Sequence, residues 1–283
     1  MDTDPIRALP FLRWPGGKTW AADQIAARIR PHLKGTYYEP FLGGGAVFFA
    51  LAPERAVLSD LNADLINTYI QIRDDAAGIL DEVLRIPVTR ETYDRIRQTP
   101  ASDARAAAVR FLYLNRTAFS GLYRLNRKGE FNVPFGGGDR NAVTLARNNR
   151  LATSSRALTG ATFRARDFQV SLDEASPGDV VFCDPTYTVA HDQNSFQRYN
   201  ERVFSWSDQE RLAKHGRLAA KRGAAVFISN AAHRSVRELY ADAECEVLHR
   251  ISRVSGNTNH RRPVEECLFT FLPKREIKHT SRS

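Results

Sequence analysis

Two periodicities of apolar positions alternate along the chain. Ala21 to Arg30 has helical spacing, and the apolar run after it enters a glycine-rich turn, Tyr37-Tyr38-Glu39-Pro40-Phe41-Leu42-Gly43-Gly44-Gly45, which opens a second helical stretch over Ala46 to Leu51. Ala56-Val57-Leu58-Ser59 reads as a short strand ending in Asp60, and Leu65, Ile66, Tyr69 and Ile72 predict a helix over Asn62 to Arg73. The same order returns later. Val180-Val181-Phe182-Cys183 ends at Asp184, a helix is predicted over Asp208 to Lys221, and Ala225-Val226-Phe227-Ile228-Ser229 is rich in strand formers. Strands that are apolar throughout are buried on both faces, so the pattern predicts an α/β fold built on a parallel sheet with helices on both sides. Val247 to Val254 and Cys267 to Leu272, separated by the polar segment Ser255 to Pro263, read as an antiparallel hairpin at the sheet edge. Between the two α/β halves, helical patterning over Ala104 to Leu114 leads into a loop rich in glycine and arginine from Phe119 to Gly138.

With 283 residues, 42% of them hydrophobic, the chain can bury a full core and form one large domain or a domain carrying a sizeable insertion. No run reaches the roughly 20 apolar residues of a membrane span. Met1-Asp2-Thr3-Asp4-Pro5 lacks the basic and apolar regions of a signal peptide, which points to the cytoplasm. Cys183, Cys245 and Cys267 are too few for a disulfide framework and lack metal-ligand spacing, so they read as buried apolar residues and no metal site is expected. Charge changes the picture more. The net charge is +9, and residues 85–150 hold 13 basic against five acidic side chains. Concentrated in one segment, this excess favours a polyanion-binding surface over a merely solvated arginine-rich face.

In a parallel sheet, ligands bind at the carboxyl ends of the strands, and three such ends carry distinctive residues. Glycines in the turn from Glu39 to Gly45 allow close approach of a ligand, although such turns also serve only to start a helix. Asp60, about 20 residues further on, can accept hydrogen bonds from ribose hydroxyls or can cap the following helix. The spacing suits an adenosine-containing cofactor, but the G-x-G-x-x-G order of nicotinamide-dependent enzymes is missing. The third end is Asp184-Pro185-Thr186-Tyr187. A purine amino group is a poor nucleophile, and an Asp carboxylate with a backbone carbonyl can localise its lone pair while an aromatic ring stacks on the base. Taken alone, a D-P-x-Y tetrapeptide is usually just a turn.

These segments together resemble the DNA adenine methylase (Dam) family. Phe11-Leu12-Arg13-Trp14-Pro15-Gly16-Gly17-Lys18 is similar to its F-L-K-W-A-G-G-K, Glu39 to Gly45 to its D/E-P-F-x-G-x-G, and Leu58-Ser59-Asp60-Leu61-Asn62 to its A-D-I-N segment. Leu112-Tyr113-Leu114-Asn115-Arg116, Gly121-Leu122-Tyr123-Arg124 and Gly129-Glu130-Phe131-Asn132-Val133-Pro134-Phe135-Gly136 resemble its recognition stretch. Asp184 to Tyr187 takes the place of D-P-P-Y, and Ile228-Ser229-Asn230 and Ser255-Gly256-Asn257 match later signatures, all in the family's order from about residue 11 to 272. The resemblance implies a Rossmann-like methyltransferase sheet that uses S-adenosylmethionine, with an inserted, mostly helical DNA-recognition domain. It divides the chain into residues 1–75, 76–154 and 155–283, the middle part recognising the target. It implies that Asp184, Pro185 and Tyr187 hold a target adenine, and that Trp14, Lys18, Phe41, Gly43, Asp60 and Asp184 contact the cofactor. Arg13, Arg116, Phe119, Ser120, Leu122, Arg124 and Pro134 are implied to meet double-stranded DNA, with Arg13 and Arg124 reading bases and Phe119 acting as a wedge beside the flipped adenine. A monomer is expected, and a partner restriction endonuclease is compatible with the family.

Three positions depart from the family pattern. Thr186 replaces the second proline, while the groups that chemistry requires are the Asp184 carboxylate, the Pro185 carbonyl and the Tyr187 ring, so activity is expected to survive. Arg13 and Ser120 replace the family's usual Lys and Asn where base reading is expected, which argues against assuming its GATC target. Two other functions are compatible with the fold: methylation of RNA or of a protein amide, whose enzymes usually begin the tetrapeptide with Asn, and DNA binding without catalysis.

Overall fold

The structure, a computed structural model, describes residues 7–126, 129–137, 142–146, 149–187, 204–248 and 265–273. Its strands are β1 (Tyr37–Glu39), β2 (Ala56–Asp60), β3 (Ala161–Ala165), β4 (Val180–Cys183), β5 (Ala225–Ala231), β6 (Glu244–Leu248) and β7 (Glu266–Phe271), in a sheet of order β3-β2-β1-β4-β5-β7-β6. The helices described are α1 (Ala22–Ile29), α2 (Ala46–Leu51), α3 (Ala63–Arg85), α4 (Arg90–Gln98), α5 (Ala104–Thr117), α6 (Val143–Ala146), α7 (Arg150–Ala157), α8 (Phe168–Glu174), α9 (Trp206–Lys221) and α10 (Arg234–Leu239). The α/β expectation holds. The chain forms two compact units, one of Met1–Ala26 with Leu42–Arg166 and one of Ala27–Phe41 with Asp167–Ser283.

In the first unit β2 and β3 pair in parallel, from Ala56 opposite Ala161 to Asp60 opposite Ala165. The side chain of Asn62 accepts from Leu65 N at 3.1 Å and so starts α3. The predicted helix ends at Arg73, whereas α3 continues to Arg85 across a break at Asp75 (φ −149°, ψ 71°). Asp75 itself restarts it by accepting from Gly78 N at 2.9 Å, and Ile79 and Val83 resume the buried stripe. α3 packs along α5 and α7. The positions 75/76 and 154/155 lie inside α3 and α7.

In the second unit β1, β4 and β5 are parallel, while β7 runs antiparallel to both β5 and β6. All of β4 and most of β5 are buried, as their unbroken apolar runs predicted. The antiparallel pair forms as expected, although β6 begins at Glu244. Residues 249–254 of the predicted strand and the polar segment 255–263 lie outside the described residues. β6 is an edge strand that exposes Glu244, Cys245 and Glu246, so Cys245 is not the buried residue expected; Cys183 and Cys267 are. Among the described residues no helix is long and apolar enough to cross a membrane.

Candidate functional site

In the first unit, Asp60 ties the glycine-rich turn to the end of β2. Its Oδ2 accepts from Gly43 N at 3.1 Å and its Oδ1 from Asn62 N at 3.0 Å. Burial drives its pKa above the usual Asp range, and the amides of Asn62, Gly43 and Leu61 oppose that rise by bonding the charged form. Of the two roles open to Asp60, helix capping belongs instead to Asn62. Gly43 has φ +46°, and its carbonyl accepts from the Tyr69 hydroxyl at 3.0 Å. A Cβ at this position would stand 2.7 Å from Cδ1 and Nε1 of Trp14, so the indole lies directly on the loop backbone. The Trp14 ring is also stacked on Tyr123, with centroids 5.5 Å apart and planes at 22°. Lys18 is buried, with Nζ 3.3 Å from the Gly16 carbonyl oxygen. Trp14, Gly43 and Asp60 thus form one connected group.

In the second unit, Asp184 follows directly from the buried end of β4. Ser229, fully buried on β5, donates from Oγ to Asp184 Oδ1 at 2.5 Å and fixes the carboxylate. Pro185 is buried, and the Tyr187 hydroxyl donates to Glu266 Oε2 on β7 at 2.8 Å. Burial raises the Tyr187 pKa, and the negative charges of Asp184 and Glu266 raise it further, so the phenol keeps its proton. Beyond Ser229, Asn230 donates from Nδ2 to Gln209 Oε1 at 2.9 Å, which binds β5 to α9. Phe41 packs against Phe168 and Phe204, at 5.3 and 5.4 Å between centroids. Arg211 covers Phe168 at 4.3 Å and bonds both carboxylate oxygens of Asp167, at 2.7 and 2.9 Å.

The expected DNA-facing residues, all in the first unit, divide into two groups. Phe119 is 53% exposed, and Ser120, Leu122, Arg124 and Pro134 are exposed around it. Phe119 N donates to the Pro134 carbonyl at 2.9 Å, and Arg124 Nε donates to Asn132 Oδ1 at 2.8 Å. Arg13 is half-buried: Asn115 accepts from its backbone amide at 2.9 Å and donates to its carbonyl at 2.7 Å. Arg116 departs from expectation. It is only 6% exposed and bonds the Thr144 hydroxyl and the Phe11 carbonyl, and its pKa is pushed down to about 10 by burial and by Arg13 and Arg150. It braces the interior of the first unit.

Other arginines of the basic segment are also engaged within the protein. Arg105 pairs with Glu82 and Asp75 at 2.6 and 2.9 Å, Arg110 bonds the carbonyls of Ile96 and Arg97 at the end of α4, and Arg150 bonds the carbonyl of Pro10. The charge excess therefore overstates the cationic surface. Sequence reasoning missed Glu266 as the partner of Tyr187 and Tyr123 as the partner of Trp14. The one available signal for Glu266 was a carboxylate at the start of an apolar run.

The chain is similar to known DNA methyltransferases. A family model described as D12 class N6 adenine-specific DNA methyltransferase matches residues 14–255. The chain is 29% identical over 280 residues to the type II methyltransferase M1.LlaDCHI of Lactococcus lactis subsp. cremoris, covering 95% of this chain and 98% of that protein. It is 33% identical over 270 residues to the DNA adenine methylase of Vibrio cholerae, covering 93% and 96%, and 34% identical over 271 residues to that of Salmonella typhi, covering 93% and 95%.

Proposed function

Because the chain belongs to the D12 class N6 adenine-specific DNA methyltransferases, we propose that it methylates the N6 amino group of an adenine flipped out of double-stranded DNA at a specific site, with Asp184, Pro185 and Tyr187 acting on the base. The observation that carries these roles is the restraint on the tetrapeptide, in which Ser229 holds the Asp184 carboxylate and Glu266 holds the Tyr187 hydroxyl. A carboxylate offers about four lone-pair sites, so Asp184 can accept from the adenine amino group while it accepts from Ser229. Hydrogen bonds from that amino group to Asp184 and to the Pro185 carbonyl draw its lone pair out of conjugation with the ring. Tyr187 supplies the stacking face. None of these groups belongs to the Thr186 side chain, so activity is expected to survive with threonine where the resembled family carries proline.

The first-unit group fits an adenosyl cofactor. Asp60 is a buried carboxylate suited to ribose hydroxyls, Gly43 permits close approach to the backbone, Trp14 offers an aromatic surface, and Lys18 offers an ammonium for a carboxylate. S-adenosylmethionine, when bound, supplies an electrophilic methyl group on a sulfonium. The cofactor role of Phe41, and any role of Asp184 toward the cofactor, rest on resemblance alone. On the DNA side, Phe119 and Leu122 are exposed apolar side chains suited to insertion between bases, and Arg124 and Arg13 are the base readers. The type II name of the Lactococcus lactis relative supports pairing with a restriction endonuclease that reads the same site.

The test is to incubate the purified protein, and its Asp184→Ala variant, with radiolabelled S-adenosylmethionine and duplex DNA, RNA or protein. Label is expected in duplex DNA alone, with a loss of about 100-fold or more in rate for the variant. Label in RNA or protein would transfer the proposal to those substrates. Binding of DNA with no transfer would make the chain a recognition protein.

A further inference from the structure

We infer that Tyr123 is a positioning residue that couples the target-reading loop to the cofactor loop, setting Trp14 against Gly43 while its neighbours Leu122 and Arg124 face outward. This inference rests on the functional reading above, since it takes Trp14, Gly43 and Asp60 as the cofactor group and the segment around Phe119 as the DNA surface.

The chain turns at Gly121 (φ +63°) and then runs extended through Leu122 (φ −68°, ψ 145°). In extended backbone, successive side chains point to opposite sides. Leu122 and Arg124 are exposed, and Tyr123 between them is turned inward. Its ring is held on three sides: by Phe111 of α5 at 5.0 Å, by Phe131 on the returning limb of the loop at 5.6 Å, and by the stack on Trp14 at 5.5 Å. Through Trp14 it reaches Gly43, where an added Cβ would stand 2.7 Å from the indole and whose amide donates to Asp60 at 3.1 Å. One residue of the target loop thus touches the aromatic end of the cofactor group directly and meets its carboxylate end by way of Trp14 and Gly43.

A second contact reinforces the first. A Cβ on Gly121 would stand 2.5 Å from Arg13 Cδ, so the loop also lies against the residue that precedes Trp14. Arg13 cannot yield through its backbone, which Asn115 clamps at both amide and carbonyl. Any shift of Arg124 on engaging a base must therefore pass through Tyr123 to Trp14. Occupancy of the cofactor group restricts Trp14 and favours one position of the loop. Coupling of this kind is reciprocal, so each ligand changes the affinity of the other by the same factor.

The experiment measures affinity for a duplex carrying the site methylated in an expressing host, by fluorescence anisotropy, with and without saturating S-adenosylhomocysteine, which permits no turnover. Calorimetry gives the converse, binding of S-adenosylhomocysteine with and without the duplex. Wild type, Tyr123→Phe and Tyr123→Ala are compared, with circular dichroism to check folding. In the wild type each ligand is expected to tighten the other about fivefold or more. Tyr123→Ala is expected to bind both ligands with that factor reduced to about one, and Tyr123→Phe, which keeps the stack, to retain most of it. If Tyr123→Ala does not fold, Tyr123→Leu fills the space without a stacking ring and reads the same quantity. An unchanged factor in the alanine or leucine variant, or no coupling in the wild type, overturns the inference. Failure of the wild type to bind S-adenosylhomocysteine at all would overturn the functional reading instead.

Discussion

Replacing Gly43 with alanine puts a methyl group where the Trp14 indole lies. The added Cβ stands 2.7 Å from two ring atoms, so the ring must retreat by about 0.8 Å to reach normal van der Waals separation. The backbone cannot retreat in its place, because its amide is bonded to Asp60 and its carbonyl to Tyr69. Two costs combine. A side chain at φ +46° costs about 1–2 kcal/mol, and overpacking of this kind typically costs about 1–3 kcal/mol. Because displacement of Trp14 falls on the cofactor group, affinity for S-adenosylhomocysteine is expected to drop at least about tenfold, which corresponds to roughly 1.4 kcal/mol. Gly44→Ala, whose added Cβ would meet only Trp14 Cβ at 3.2 Å, should lose much less. Calorimetry on the two variants, with thermal unfolding to confirm that both are folded, tests the reasoning. Unchanged affinity in Gly43→Ala would show that the Trp14 contact has no part in cofactor binding.

Glu266→Ala, which unpins the Tyr187 hydroxyl, is expected to lower kcat about tenfold or more, since small misplacements at a reacting centre are costly, while Glu266→Gln still accepts the phenol proton and retains most of the rate. Equal kcat in the alanine variant and the wild type would count against this. Arg124→Ala should relax preference at one base pair by about 1–3 kcal/mol, read by methylation of every single-base variant of the site; profiles parallel to the wild type would leave Arg124 as a phosphate contact. The raised pKa of Asp60 has a pH consequence of definite sign. The folded protein takes up this proton at higher pH than the unfolded chain, so the stability it contributes is present below the unfolded pKa and is lost as pH rises through the folded one. Cofactor affinity runs the other way and weakens as pH falls through the folded value. Titration of wild type against Asp60→Asn should show this dependence only in the wild type, and a flat wild-type profile would contradict it.

The central strands could be read from sequence because burial on both faces leaves unbroken apolar runs, as in Val180-Val181-Phe182-Cys183. β3 escaped notice because it is an edge strand in which Ala161 and Phe163 are buried and Arg164 is exposed. The extension of α3 was hidden by Asp74-Asp75, which interrupt the apolar stripe at the break in the helix. Asp184 and Asp60 stand at strand ends, which is a local property, so both were found. The partners of Asp184 and Tyr187 depend on register: Cys183 lies opposite Ile228 in the β4–β5 pairing, which brings Ser229 to Asp184, and Glu266 lies opposite Ala231 in the β5–β7 pairing, and no short segment encodes these alignments. The resemblance put Arg116 among the residues expected to meet DNA, and its exposure was not legible in the sequence. A formal charge carries no information on exposure, and the stretch Phe111 to Thr117 in which Arg116 sits is buried throughout.

The most direct test of the central claim is to sequence modified bases in DNA from a host without adenine methylation of its own, expressing either the wild type or Asp184→Ala. The wild type is predicted to leave N6-methyladenine at one recurring sequence, and the folded variant to leave none above background. Absence of N6-methyladenine with a folded wild type, or equal methylation by Asp184→Ala, would contradict the assignment.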